Sequence, residues 1–324
     1  MSTASSDSNY LVIEALLQLI REDSVPDDHV SSHWQLHSDN IVVNKLGENL
    51  ILEGSGFGTI YSKRRFLNSV VRSLERISYR SVTKQLRNYP DILSKAKLLR
   101  KDLSCDLTYT VWAQVVAVSV LVDHFQEYNL FPNVFALIGD GYGFMGALLK
   151  RQFPNSRIYL IDLPKVLIFQ AKIHQLSHSG RMQILTGDEK LDRYTDIVLV
   201  PPQNAELILD NIDCAVNMAS MAEMNQHSIT AYFKFLRDHS SDGSRFYCLN
   251  RLEKELVGGE TNRFYDYPWK TDDSLFIDEN CPFSTHVMSM SNSGNGPKIL
   301  GVRIPFINYL DGEMIHRLVH LSNG

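Results

Sequence analysis

The stretch FALIGDGYGFMGALLKRQF, residues 135–153, decides the fold. An apolar run from Val134 to Ile138 reads as a strand, glycines at 139, 141 and 143 turn the chain, and a helix follows over about Gly143 to Gln152. Glycine suits such a turn because it accepts positive φ and lets the backbone approach a ligand, while the first helical turn presents unpaired N–H groups. Asp162 ends the next strand, in RIYLIDLP, 23 residues after Gly139 (162 − 139). A carboxylate in that place can accept both hydroxyls of an adenosine ribose. The arrangement therefore fits any ligand with an adenosine moiety, dinucleotides included.

Outward from this unit, strands keep alternating with helices, which predicts a parallel sheet covered on both faces. Arg157 to Ile161 is the second strand and Pro164 to Leu176 its helix. Ile197 to Val200 is a third strand, halted by Pro201-Pro202, with Ile184 and Leu185 a short one before it. Asp213 to Val216, a helix from about Gln226 to His239, and Arg245 to Leu249 complete the series. The tail changes character: Thr285 to Ser291 and Lys298 to Ile304 are strand-like and flank the turn-forming 292–296, which predicts an antiparallel hairpin. A parallel sheet that ends in such a hairpin is a Rossmann-like α/β arrangement of the seven-stranded methyltransferase type.

Ahead of the sheet the chain is mostly helical. Leu11, Ile13, Leu16, Leu17 and Ile20 fall at helical spacing, with further patterns over Lys63–Ile77 and Thr83–Leu99. Asn40 to Val43 and Asn49 to Leu52 read as strands or a hairpin around Gly47. Val111 to Tyr128 is apolar nearly all round, which predicts a helix buried between other elements. The first eight or nine residues are small and polar and are expected to be disordered. Two regions result: residues 1–129, helical and suited to a lid, a substrate-facing or a homodimer role, and residues 130–324, the ligand-binding sheet.

The 324 residues are 44% hydrophobic and 21% charged, ordinary for a chain with a large core. A net charge of −5 offers no basic footprint for nucleic acid. No apolar stretch reaches membrane-spanning length, since Val111 to Val122 is too short and carries Gln114. Cys105, Cys214, Cys248 and Cys281 lie far apart, without the close pairs of zinc or redox motifs, and read as thiols in a reducing, cytoplasmic setting. A second glycine run, GSGFGT at 54–59, lacks a following strand with a terminal acid and reads as a structural or lid loop. Lys63, Arg64 and Arg65 after it either meet an anionic group or form a solvated face.

IGDGYGFMGALL, the YLIDLP after it, and NMASMAEMN at 217–225 together resemble a family of sugar O-methyltransferases found among bacterial polysaccharide-modifying enzymes. The similarity covers about residues 130 to 251, and more weakly SSHWQL around Trp34 and the GSGFGT loop. It implies S-adenosylmethionine as cofactor and a small carbohydrate as substrate. The family's motif positions fall here on Gly139, Gly141, Tyr142 and Gly143, on Asp162, Leu163 and Pro164, on Ser220, Glu223 and Met224, and on Asn250 and Arg251. The family's acid ahead of the loop is replaced by Leu137. Either Asp140 substitutes for it, or cofactor binding is weakened.

On this reading the glycine loop with Asp140 holds the methionine part of the cofactor, Asp162 and Leu163 the ribose, and the Val200-Pro201-Pro202 turn the adenine edge, with Asn217, Ser220, Glu223 and His227 facing the transferred methyl group. Methyl transfer to an alcohol requires the acceptor to lose its proton, so a positioned base helps. Glu223 and His227, four apart, are the candidates; alternatively Glu223 caps the following helix and His227 faces solvent. Asn250 and Arg251 are candidate substrate residues, as are Tyr265, Tyr267 and Trp269, whose aromatic segment either stacks on a sugar or packs on the core. A divalent metal on Glu223 with Asp188 or Asp213 is conceivable, but no spacing demands it. The competing readings are a nicotinamide-dependent oxidoreductase, a catalytically silent binding protein of the same fold, and a methyltransferase for a non-sugar natural product.

Overall fold

The computed structural model describes residues 3–22, 25–26, 30–46, 49–54, 60, 73, 77, 79–178, 180–187, 190–284, 288–289, 296, 298–304, 308–309 and 312–322. Alternation of side chains along each strand of residues 134–251 dictates a sheet with two buried faces. On β3 (Val134–Ile138), Phe135 and Leu137 point to one face and Ala136 and Ile138 to the other. The same split divides Ile158 and Leu160 from Tyr159 and Ile161 on β4 (Arg157–Ile161).

The sheet holds eight strands. Four more run parallel to β3 and β4: β5 (Arg181–Ile184), β6 (Thr195–Val200), β7 (Cys214–Met218) and β8 (Arg245–Arg251). β11 (Ser274–Asn280) and β12 (Met314–His320) are antiparallel to each other, and β12 is antiparallel to β8. The spatial order is β11-β12-β8-β7-β3-β4-β6-β5, so the chain runs outward one way from β3 and then resumes on its other side at β7. That reversal opens a crevice between the carboxyl ends of β3 and β7, where open α/β sheets bind ligands. This Rossmann-like α/β sheet with a terminal antiparallel pair is the architecture the sequence predicts.

Helices cover the first face. α5 (Phe144–Gln152) and α6 (Pro164–Ser177) lie there with α4 (Tyr109–Glu127), and α3 (Tyr89–Asp102) packs on α4, α5 and α6. α1 (Thr3–Arg21) packs on α6 and β5. Residues of these N-terminal helices and of the sheet thus share one apolar core. α4 is buried around most of its circumference, as its composition predicts, and Thr108 caps it by accepting from the Val111 N–H. The opposite face is closed by α7 (Gln226–Asp238), whose cap Asn225 accepts from Ser228, and by residues 264–269. Before the sheet stand α2 (Ser32–His37) and an antiparallel pair, β1 (Val42–Leu46) with β2 (Asn49–Glu53). A further short pair, β9 (Glu253–Glu255) with β10 (Thr261–Arg263), follows β8.

Two expectations are corrected. α1 begins at Thr3, inside the stretch expected to be disordered, and residues 1–2 lie outside the described residues; extending an existing helix backward costs far less than starting one. The hairpin of the large sheet is built by β11 and β12, not by Thr285–Ser291 and Lys298–Ile304. Of these segments, Met288–Ser289 pairs with Asn308–Tyr309, and Lys298–Ile299 with Val302–Arg303. Residues 285–287, 290–295, 55–59, 63–65 and Asp188 lie outside the described residues, and with them most of the second glycine run and its three basic neighbours. All four cysteines are buried and free. Among the described residues no helix is long and apolar enough to cross a membrane.

A buried ion pair ties the second face together. Arg237 on α7 meets Asp273 through two N–H···O bonds of 2.6 and 2.9 Å and also donates to Ser322 O and Pro268 O. Both side chains are almost fully removed from solvent. Asp273→Ala leaves the guanidinium without its counter-charge and is expected to cost about 3–5 kcal/mol, read as a lower urea midpoint at unchanged slope; a loss below about 1 kcal/mol would mean that the guanidinium regains water.

Candidate active site

The loop after β3 is shaped by contacts with protein on both sides. Gly139, Gly141 and Gly143 all have positive φ (74°, 62° and 88°). A Cβ on Gly139 would lie 2.1 Å from Ser220 Oγ, and one on Gly143 would lie 2.9 Å from Gln170 Cα. The two positions are glycine because the loop after β7 and helix α6 approach too closely for any side chain. Tyr142 turns out of the turn and donates to Gly54 O at 3.1 Å, fastening the loop to the end of β2.

Asp140 does not reach outward from the loop. Its carboxylate accepts from the N–H groups of Met145 at 3.2 Å and Gly146 at 2.7 Å, so it occupies the N-terminus of α5. Asp162 accepts from Leu163 N at 2.9 Å and Gln170 Nε2 at 2.7 Å. Burial outweighs these bonds: it pushes Asp140 up to about 8 and Asp162 up to about 7. Two carboxyl groups thus flank the loop, each held by donors and each poised to ionise more readily beside a cation.

The loop after β7 is held by amides. Asn217 and Asn250 are fully buried. Asn250 Nδ2 donates to Asn217 Oδ1 at 2.7 Å and its Oδ1 accepts from Ala222 N at 3.0 Å. Asn217 Nδ2 donates to Ile138 O at 2.8 Å, and Asn217 Oδ1 accepts from Met221 N. Ser220 Oγ also donates to Ile138 O. This network forces Ala219 to φ 67°, a strained value for alanine, and points the turn Met221–Glu223 at the crevice.

The crevice opens into a cavity of about 330 Å³. Gly139, Asp140, Gly141, Asp162, Leu163, Ser220, Glu223 and Arg251 line it, as do Leu137 and Pro202. Tyr142, Gly143, Val200, Pro201, Asn217 and Asn250 are not in its lining, although Asn217 bonds to the lining residues Ile138 and Ser220, and Asn250 bonds to Asn217. His227 lies exposed on α7 and does not line the cavity. Tyr267 and Trp269 pack among Phe233, Phe246 and Phe264, with the Arg317 guanidinium 4.3 Å over the Trp269 ring, and Tyr265 is exposed. Asp213 stands at the opposite end of β7 from Glu223, where it accepts from Asn133 and Val134 N–H groups, so it cannot share a metal with Glu223.

Sequence reasoning missed one wall. Ser31 and Trp34 from α2 and its cap, Tyr109, Thr110, Ala113 and Gln114 from α4, and Lys254 from β9 also line the cavity. Ser31 Oγ donates to the carbonyl of Glu223. The Glu223 carboxylate stands between Lys254 Nζ, with which it forms a hydrogen-bonded ion pair, and His33 Nε2 at 3.5 Å. Burial draws His33 below the usual histidine value despite Glu223. Trp34, inside the SSHWQL segment, was the only sequence signal for this wall.

No family model matches the chain, and no curated protein sequence does. Among solved structures it is similar to the precorrin-6y C5,15-methyltransferase of Geobacter metallireducens, at 11% identity over 59% of this chain and 81% of the other, TM-score 0.35. It is also similar to TehB from Haemophilus influenzae, at 14% identity, 62% and 61% coverage, TM-score 0.38. A third is an S-adenosylmethionine-dependent methyltransferase from Clostridium acetobutylicum, at 12% identity, 63% and 89% coverage, TM-score 0.38. Likenesses this distant assign neither activity nor substrate.

The Gly139–Ser220 approach gives a direct check. Gly139→Ala is expected to destabilise the protein through both the clash and the positive φ, and Ser220→Gly in the same chain to recover the clash but leave about 1–2 kcal/mol of backbone strain. Additive effects in the double-mutant cycle would show that the two loops do not touch.

Proposed function

We propose that the chain is an S-adenosylmethionine-dependent O-methyltransferase acting on a small hydroxylated substrate, a sugar by the resemblance of its motifs. The observation that carries this reading is the placement of Asp140. A dinucleotide needs the N-terminus of the helix after the glycine turn for its pyrophosphate. Here a carboxylate of the protein fills that place, and with Asp162 it makes the pocket a host for a cation rather than for phosphate. S-Adenosylmethionine carries a sulfonium and an ammonium and no phosphate, so it fits the residues present where a nicotinamide dinucleotide does not.

When bound, the cofactor supplies an electrophilic methyl group. The chain's own residues do the rest. Asp162 would hold the ribose hydroxyls and Pro202 would meet the adenine side, while the apolar Leu137, Val216 and Leu249 line the same cavity and would exclude water from it. Glu223, held by Lys254 and backed by His33, is the base that accepts the proton of the acceptor hydroxyl. Arg251, Lys254, Ser31 and Ser284 offer the hydrogen-bonding groups that a hydroxylated acceptor needs, and Trp34 and Tyr109 offer aromatic faces in the same cavity.

The test is calorimetric titration with S-adenosylhomocysteine and with NAD, joined to transfer of labelled methyl from S-adenosylmethionine to a panel of sugars. Binding of S-adenosylhomocysteine alone, lost in Asp162→Ala, is expected, and Glu223→Gln is expected to lower turnover by roughly 10²- to 10⁴-fold with cofactor binding kept. Binding of NAD alone would reverse the assignment. Binding without transfer to any acceptor would favour a silent member of the fold, and transfer only to non-sugar acceptors would move the substrate class.

A pH dependence follows from the two carboxyl groups. Both are raised by burial, so they are neutral below about 7 to 8 and charged above. A cation stabilises the charged forms; affinity for S-adenosylmethionine is therefore expected to be weak at pH 6 and to strengthen through pH 8, with proton release on binding. Titrations in buffers of different ionisation enthalpy count those protons, and an affinity independent of pH would remove the carboxyl groups from the cofactor's surroundings.

A further inference from the structure

Helix α4 supplies the cavity with two polar groups that the rest of the protein leaves unsatisfied. Thr110 and Gln114 both line the cavity and, four residues apart, share one helix face. Gln114 is 7% exposed, and its Oε1 is buried without a hydrogen-bond partner. Thr110 Oγ1 is buried and unpartnered as well. On the same helix Ser119 Oγ, by contrast, donates to Val115 O at 2.7 Å. Proteins keep a buried polar group without a partner chiefly where something else completes it.

The sheet side explains what is missing. Leu137 points to the face of the sheet that α4 covers and lines the same cavity. Asp140 is committed to the N-terminus of α5, Asp162 to Leu163 and Gln170, and Glu223 to Lys254. Each of the three already accepts from protein donors, and the residues that α4 itself brings to the lining, Tyr109, Thr110, Ala113 and Gln114, carry no acid. Thr110 also stands in the first turn of α4, the positive end of a 19-residue helix, which favours a carboxylate.

Resting on the cofactor reading above, we propose that Thr110 and Gln114 hold the amino-acid end of S-adenosylmethionine. Gln114 Oε1 accepts from the ammonium, and the Thr110 hydroxyl donates to the carboxylate beside the first turn of α4. An uncharged helix face thereby does the work of the acid whose place Leu137 takes.

The experiment compares two ligands on the intact chain by calorimetry: S-adenosylhomocysteine, and 5′-methylthioadenosine, which keeps the adenosine and the sulfur but has no amino-acid end. Gln114→Leu and the near-isosteric Thr110→Val are each expected to weaken S-adenosylhomocysteine by about 10-fold or more, as loss of a hydrogen bond to a charged group implies, and to leave methylthioadenosine unchanged. Gln114→Glu, which keeps an acceptor and adds charge, is expected to bind S-adenosylhomocysteine at least as tightly as the wild type. Equal losses for both ligands, or no loss for either, overturn the assignment of the two residues while leaving the cofactor reading intact. Failure of the wild-type protein to bind either ligand overturns the cofactor reading and this assignment with it.

Discussion

The approach of Gly139 to Ser220 is the constraint on which the rest of the site depends. The carboxyl ends of β3 and β7 diverge into different crossovers, yet the loops that leave them touch so closely that a single methyl group would separate them. Asn217 and Ser220 fix this contact by donating to the same carbonyl, Ile138 O. Asn250 passes the constraint to β8 and to the turn that carries Glu223. A glycine turn, an amide pair and an acid on three separate strands therefore form one rigid floor. Rigidity of this kind is what orientation-dependent chemistry requires, because misplacement of a reacting group by an ångström is costly.

The strand, glycine turn and helix of residues 134–152 were legible in the sequence because each signal is local: apolar run, punctuation, amphipathic spacing. Asp162, Ser220 and Glu223 follow strand ends in the sequence, and the structure brings them to one cavity. The wall from α2 and α4 was not legible. Ser31, Trp34 and Gln114 reach the cavity only through packing over long sequence separations, and Gln114 registered in the sequence merely as a break in an apolar helix. The terminal hairpin was misplaced because its true strands carry charge: Arg317 and His316 on β12 are buried opposite Asp278 and Glu279 on β11. Apolarity ranks such strands low, although pairing satisfies them. The aromatic segment 265–269 shows the reverse error of emphasis, since Tyr267 and Trp269 join a ring cluster behind the sheet.

The carboxylate of Asp140 lies at the N-terminus of α5, where it accepts from Met145 and Gly146. Where phosphate binders leave the helix N-terminus open, this chain closes it with Asp140, and the cost of burying that carboxyl is visible in its raised proton affinity. The glycine pattern alone is common to both kinds of pocket.

The order of strands has a consequence for how the molecule comes into being. β12 is the last long strand in sequence, but it lies between β8 and β11. Neither neighbour can bond to the other in its absence, so a nascent chain that has already formed β3 to β8 carries an open sheet edge until residues 314–320 arrive. Folding of that half therefore waits for residues 314–320, and its long-range pairing makes it the slow part of the process. The buried charges of β12, which hinder recognition of the strand, find their counter-charges only once β11 lies beside it.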